Sequence, residues 1–207
     1  MSIESTLILL VLLIISLSVH EAAHAWTADR LGDPTARMLG RLTLNPLAHI
    51  DWIGTVLFPL IAIYSGVPLL GWAKPVPVNG HNLRHPRRDF AIVAAAGPIS
   101  NLLQAIVAAV VLMALDPAGT TLASDLTPAG FAFRFVILNV SLAVFNMLPV
   151  PPLDGGNVLS GILPEAGARL IDQLRPYGFL ILYALLLTGV LGEVMFPLIR
   201  DIVGLMT

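Results

Sequence analysis

The chain has 207 residues, of which 57% are hydrophobic and only 12% are charged, with a net charge of -2 at pH 7. A soluble domain of this length cannot cover its surface with so few charged side chains, so the composition predicts an integral membrane protein in contact with the lipid bilayer. No basic patch interleaved with aromatic residues is present, which excludes an ordinary nucleic-acid partner. The absence of cysteine excludes disulfides and thiolate metal sites, so any bound zinc must be held by His and carboxylate side chains.

Five long apolar stretches approach the roughly 20 residues that a helix needs to cross a bilayer. They lie at about 6–26, 53–70, 90–114, 130–149 and 177–199. The second stretch contains Gly54, Pro59, Gly66 and Pro68, so a straight uninterrupted helix is disfavoured there.

The distribution of basic residues predicts how these stretches are threaded. Both loops that flank 53–70 are rich in Arg or Lys, and the positive-inside rule places both in the cytoplasm. This requires 53–70 to enter and leave by the same face. The loop 115–129 contains two Asp and no Lys or Arg, and is predicted to be external. The sequence therefore predicts four full crossings with the N-terminus outside and a re-entrant segment at 53–70; the alternative is five ordinary spans.

The motif His20-Glu21-Ala22-Ala23-His24 ends the first apolar stretch, whose residues 6–19 carry no charge. Residues four apart share one face of a helix, so both imidazoles can reach one Zn²⁺ and Glu21 is placed to act as a general base. Ionisable groups inside a membrane segment are costly and are kept mainly for function. The motif and its position together predict hydrolysis inside a bilayer.

A catalytic zinc site usually has a third protein ligand. The histidines at 49, 81 and 85 lie in polar, Arg-rich segments, where we expect surface or interface residues. Asp154 instead follows an apolar span, in a proline-rich stretch where a helix cannot continue. Irregular backbone at membrane depth is tolerated only where it is buried or lines a cavity. In the predicted topology Asp154 follows the crossing 130–149 on the inner side, where His20 and His24 end the first crossing, so Asp154 is the predicted third ligand. The alternative is that Asp154 merely caps a helix that begins near Asn157; residues 157–175 are expected to form a short, partly amphipathic helical region.

Three motifs in this order resemble the site-2 protease family, the intramembrane zinc metalloproteases of the M50 group. They are HEAAH at 20–24, AGPISN at 96–101 and NMLPVPPLDGG at 146–156, which together span about two thirds of the chain. The stretch GWAKPVPVN at 71–79 is similar to the short prokaryotic branch of that family, and the chain shows no PDZ or CBS module.

The resemblance implies one zinc ion per chain, bound by His20, His24 and Asp154, with Glu21 as general base. It also implies that Asn146 contacts the scissile peptide or steadies the oxyanion. The implied protein is an all-α polytopic protease of the prokaryotic cell membrane, with its active site toward the cytoplasm and transmembrane proteins as substrates. It would be one domain over residues 1–207, with a catalytic core at about 6–157 and C-terminal helices at about 158–207.

A substrate helix must unwind before its peptide bonds can be attacked. An extended segment that offers backbone partners would stabilise the unwound form by strand addition. The alternating prolines near 72–79 suit a short edge strand with that role, and a plain proline-rich connector is the alternative.

Two other classes of protein remain possible from the sequence. A membrane zinc carrier would have no use for Glu21 as a base, and an inactive scaffold would be expected to have lost a ligand or the Glu. A single Glu21→Gln change separates these hypotheses, because a carrier would still move metal. No feature of the sequence predicts an oligomeric state.

Overall fold

The computed structural model describes residues 3–58, 60–61, 74–119 and 126–207. All regular structure in these residues is helical. The helices are α1 (Ile3–Arg30), α2 (Thr35–Met38), α3 (Pro86–Leu115), α4 (Pro128–Asn146), α5 (Asp154–Ile162), α6 (Glu165–Leu174), α7 (Gly178–Leu187) and α8 (Val190–Met206). Single 3₁₀ turns lie at Pro46–Ala48, Gly80–Asn82 and Arg175–Tyr177, and a π-helical turn lies at Trp52–Leu57.

Four helical segments are long and apolar enough to cross a membrane: Glu4–Arg30, Pro86–Leu115, Pro128–Asn146 and Glu165–Leu187. The first three correspond to the first, third and fourth apolar stretches of the sequence, so the prediction of a polytopic all-α membrane protein is confirmed. The fourth runs through α6 and α7 and ends at Leu187, whereas the sequence pattern favoured a span over 177–199. Gly189 adopts a left-handed φ of +80°, a conformation that ends helices, and it divides the last apolar stretch into α7 and α8.

The apolar segment 53–70 is described only in its first part. Residues 52–57 form the π-helical turn, and residues 58, 60 and 61 are helical. Residues 62–70 lie outside the described residues. The prediction of a re-entrant segment, with a full span as its alternative, depends on these residues.

The predicted edge strand near 72–79 is not supported. Residues 72 and 73 lie outside the described part of the chain, and 74–79 have no regular secondary structure. Pro75 has no N–H, and the N–H groups of Lys74 and Val76 donate to the His49 carbonyl and the Glu21 carboxylate. These donors are therefore used outside any strand ladder, which explains why the alternating prolines did not produce one.

Helix α3 is the central helix and contacts α1, α4 and α5. Small residues in the C-terminal half of α3 let it approach α4 closely, and α8 packs against α4. The cluster consists of buried Ala105, Ala108, Ala109, Val136 and Val140, with Ile199, Ile202, Val203 and Met206 of α8 packed on it. A second cluster joins Leu13 and Leu17 of α1 to Leu138 and Leu142 of α4. Helices α1 and α4 thus pack with α3 in one bundle.

Asp33, between α1 and α2, joins the loop after α1 to the residues 79–82. Its fully buried carboxylate accepts hydrogen bonds from the N–H of Thr35 at 3.1 Å, the N–H of Asn79 at 2.7 Å and the side-chain amide of Asn82 at 2.9 Å. Burial raises the pKa of Asp33, but the hydrogen bonds from Thr35, Asn82 and Asn79 outweigh it and hold the pKa below its ordinary value.

Asp33→Asn is expected to lower the free energy of unfolding by about 2 kcal/mol near neutral pH, because charged hydrogen bonds are lost. Since the folded pKa lies below the unfolded one, this contribution is present above about pH 4 and disappears as the pH falls through the folded pKa. Thermal unfolding in detergent at neutral and acid pH should show the gap between variant and wild type closing in acid. A gap that does not change with pH would contradict this account; Asp172→Asn, in an exposed ion pair with Arg175, is the control.

Candidate metal centre

The last turns of α1 carry the two histidines into the interior of the protein. His20 and His24 lie one turn apart on the face of α1 that meets α3, and they are only 4% and 8% exposed. Gly97 of α3 faces them directly: a Cβ added there would lie 2.5 Å from His20 Nε2 and would also collide with His24. The absence of a side chain at residue 97 therefore makes room for both rings.

Asp154 is the first residue of α5. The N-cap position belongs to Leu153, and the side chain of Asp154 makes no capping hydrogen bond, so the capping interpretation is wrong. Its Oδ2 lies 3.1 Å from Nε2 of His20 and 3.4 Å from Nε2 of His24. The structure thus brings together three side chains that are far apart in the sequence.

The two glycines after Asp154 let α5 begin tightly against the preceding loop. A Cβ on Gly155 would collide with the carbonyl oxygens of Met147 and Leu148, and one on Gly156 would lie 2.8 Å from the nitrogen of Pro151. Larger residues at these positions would move α5 away from the loop and carry the Asp154 carboxylate away from the imidazoles.

Hydrogen bonds at Nδ1 fix the proton position on both rings. His24 Nδ1 lies 2.7 Å from the carbonyl oxygen of Val93, which can only accept, so this nitrogen carries a proton and Nε2 is the ring nitrogen left to bind a metal.

Nδ1 of His20 is also a hydrogen-bond donor, and a chain of buried amides fixes this role. Asn139 donates through Nδ2 to the carbonyl of Phe135 and to the hydroxyl of Ser16, each at 3.0 Å, which fixes its amide orientation. Its Oδ1 then accepts from Nδ2 of Asn101 at 2.8 Å, and Oδ1 of Asn101 accepts from Nδ1 of His20 at 2.6 Å. This amide chain makes Nδ1 of His20 a donor and leaves Nε2 as the nitrogen that can bind a metal.

The three groups fit a zinc ion. The two Nε2 atoms lie 3.0 Å apart, and the ligand atoms of all three residues lie within 4.8 Å of one another. Oδ2 of Asp154 is buried and accepts no hydrogen bond of good geometry. Two imidazole nitrogens and a carboxylate oxygen therefore converge on one point, an arrangement that a divalent cation stabilises. Two imidazoles and a carboxylate are a donor set that suits zinc.

Asn101→Leu is expected to weaken zinc binding by about 10- to 100-fold, because the acceptor for His20 Nδ1 is lost. Asn101→Asp keeps an acceptor at that position and should bind zinc more tightly than the Leu variant. Competition with a chromogenic chelator measures both affinities. Equal affinities in the two variants would show that the hydrogen bond to His20 does not matter for the metal.

A cavity of about 660 Å³ opens beside the three residues. Its walls are mostly apolar side chains of α3, α4 and α7 and of the loop residues 75–78 and 152–153. The polar side chains on its lining, besides those of the candidate ligands, belong to Glu21, Asn146, Asn157 and Tyr183. A cavity of this kind can hold an apolar peptide and present a few polar groups to its backbone.

The polar residues of the cavity differ in their hydrogen bonds. Glu21 accepts the N–H of Val76 at 2.8 Å through Oε2. Asn146 donates one amide hydrogen to the carbonyl of Leu142 at 3.0 Å and has a second one left. The sequence interpretation missed Asn157 and Tyr183 as cavity residues; the i, i+3 spacing from Asp154 could have indicated Asn157, and nothing in the sequence indicates Tyr183.

The remaining histidines divide between the interior and the surface. His81 and His85 are exposed, as predicted. His49 is only 2% exposed, so the surface prediction is wrong for it. Its Nε2 hydrogen-bonds the carbonyl of Thr43 at 2.8 Å and its backbone carbonyl accepts from Lys74, which places it inside the loop packing and away from the candidate ligands.

A polytopic helical protein with an H-E-x-x-H helix and a nearby carboxylate has the features of a membrane metallopeptidase. The chain belongs to peptidase family M50, which residues 8–128 and 121–189 match, and it is a zinc-dependent peptidase.

Relatives named as zinc metalloproteases align with most of the chain. It is 36% identical over 194 residues to the protein named as zinc metalloprotease YwhC of Bacillus subtilis, covering 93% of this chain and 85% of that protein. It is 34% identical over 188 residues to the one named Rip2 of Mycolicibacterium smegmatis, covering 90% and 69%. It is 32% identical over 181 residues to Rip2 of Mycobacterium tuberculosis, covering 86% and 66%. No solved structure matches the chain.

Proposed function

We propose that this protein hydrolyses peptide bonds within or near the transmembrane segments of membrane proteins, as in regulated intramembrane proteolysis. The observation that carries the proposal is the position of the histidines, which lie inside the span Glu4–Arg30 and face a cavity with mainly apolar walls. A peptidase for soluble substrates would gain nothing from a site placed among membrane-spanning helices.

The proposed roles follow from the geometry. His20, His24 and Asp154 would hold the zinc ion. When bound, zinc supplies Lewis-acid polarisation of the substrate carbonyl and acidifies a water ligand. Glu21 takes the proton of the attacking water and passes it to the leaving amine. Asn146 uses its second amide hydrogen to hold the scissile peptide or to stabilise the developing oxyanion.

We further propose that the site opens toward the cytoplasm of a prokaryotic cell. The histidines lie near the end of α1 that leads into the Arg-containing loop after residue 30, and Asp154 follows the end of α4. The positive-inside rule favours the cytoplasmic side for both ends.

We regard residues 1–207 as one domain, because α8 packs on the same cluster as α3 and α4.

The test is cleavage of a panel of single-span membrane proteins by the purified zinc-loaded protein in liposomes. The same protein with Glu21→Gln serves as the inactive control. Cleavage inside or next to the spans, lost in the control, is the expected result. Cleavage restricted to soluble peptides, or transport of zinc across the bilayer by both proteins, would refute the proposal.

A further inference from the structure

Arg41 is a buried cation outside the candidate metal centre. It is 9% exposed, and Nη2 lies 2.6 Å from the carbonyl oxygen of Lys74 and 3.4 Å from that of Pro75. Within the described ranges it makes no ion pair with a carboxylate. Burying a guanidinium without a carboxylate partner is costly. The hydrogen bonds from Arg41 to the backbone of residues 74 and 75 are the interactions that offset this cost.

That piece of backbone reaches the proposed base. The N–H of Lys74 donates to the carbonyl of His49 at 2.9 Å, so the start of the segment is held by the loop that contains Arg41. Pro75 has no N–H to offer. The next donor, the N–H of Val76, points to Oε2 of Glu21 at 2.8 Å. Arg41 and Glu21 are thus joined through residues 74–76.

We propose that Arg41 is a positioning residue for Glu21, the general base of the proposed function. It holds residues 74–76 in place so that the Val76 N–H fixes one carboxylate oxygen of Glu21. The other oxygen, Oε1, is then left in one orientation for proton transfer. A glutamate side chain has three rotatable bonds, and an error of about 1 Å in the position of a catalytic group can cost 10²-fold in rate.

This inference gives the segment 74–79 a role different from strand addition. The carbonyls of Lys74 and Pro75 accept from Arg41, and the N–H of Val76 is bonded to the base and not to a substrate strand. Because Pro75 and Pro77 contribute no donors, the Val76 N–H is isolated and cannot be replaced by an adjacent one.

A matched pair of variants tests the Val76 contact. Val76→Pro removes the N–H, whereas Val76→Ala keeps it and controls for the lost side chain. We expect kcat of the Pro variant to lie at least about tenfold below that of the Ala variant, with equal zinc content and a smaller change in KM. Equal kcat values in the pair would overturn the proposal.

A double-mutant cycle tests whether Arg41 acts through the same contact. Arg41→Gln should lower kcat by about tenfold, and combining it with Val76→Pro should lower kcat no further than Val76→Pro alone. Amide hydrogen exchange of Val76 in Arg41→Gln should be faster than in the wild type. Arg37→Gln, at an exposed arginine of α2 that pairs with Asp29, should change neither quantity.

The outcomes separate this inference from the proposed function. If the reductions in kcat from Arg41→Gln and Val76→Pro multiplied in the double variant, Arg41 would only stabilise the fold. The same conclusion would follow if the amide hydrogen exchange rate of Val76 were unchanged in Arg41→Gln. If the wild type cleaved no membrane protein, the proposed function would fail, while the exchange measurement would still decide whether Arg41 holds Val76.

Discussion

Glu21→Gln is expected to lower the rate of peptide cleavage by about 10²- to 10⁴-fold while the protein still binds zinc. The carboxylate of Glu21 lines the cavity beside the proposed ligands, and the amide has the same shape but cannot accept the proton of the attacking water. Zinc binding should survive, because the converging ligand atoms belong to His20, His24 and Asp154.

Two measurements on the purified variant check this expectation, namely single-turnover cleavage of a membrane substrate and zinc content by metal analysis. Glu165→Gln is the matched control, because Glu165 is exposed and pairs only with Arg169 on the surface of α6. A Glu21→Gln protein that cleaves at a rate close to the wild type would exclude Glu21 as the base. Loss of zinc from that variant would instead make Glu21 part of the metal site.

Gly97→Ala is expected to weaken zinc binding by about 10- to 100-fold and to lower stability. The added methyl group would overlap the rings of His20 and His24, and overpacking of this kind costs about 1–3 kcal/mol. Helix α3 cannot shift to relieve the overlap without stretching the hydrogen bonds from His24 to Val93 and from His20 to Asn101. The overlap is therefore relieved by displacement of the His20 and His24 rings.

Chelator competition and thermal unfolding in detergent measure the two effects of Gly97→Ala. Gly204→Ala is the control, because a Cβ on Gly204 of α8 would meet no atom within 4 Å. That variant should bind zinc as the wild type does. If Gly97→Ala bound zinc with the wild-type affinity, the close approach of α3 to the two imidazoles would not exist in the protein.

The spans and the candidate ligands could be predicted because their sequence patterns are long or specific. Apolar runs identify α1, α3 and α4, and the HEAAH spacing places two imidazoles on one helical face. Asp154 could be proposed because it follows a span on the same side of the membrane as the histidines, and its helix start then confirmed that it is no cap.

Features that depend on tertiary contacts could not be predicted. The last apolar stretch reads as one span, and only the left-handed turn at Gly189 shows that it is divided. The prolines near 72–79 suggested an edge strand, but the N–H of Val76 is used by Glu21, a contact between backbone and a distant side chain that has no sequence pattern. His49 looked like a surface residue because its neighbours are polar, yet the fold of its loop buries it.

The amide chain from Ser16 through Asn139 and Asn101 to His20 joins α1, α3 and α4. As the chain is inserted, α1 enters the bilayer first, with its histidines lacking these partners. The amides that orient His20 come only with the later spans, and the carboxylate of Asp154 follows them. A partly synthesised chain would therefore hold metal poorly, and the enzyme would become active only when its bundle is nearly complete.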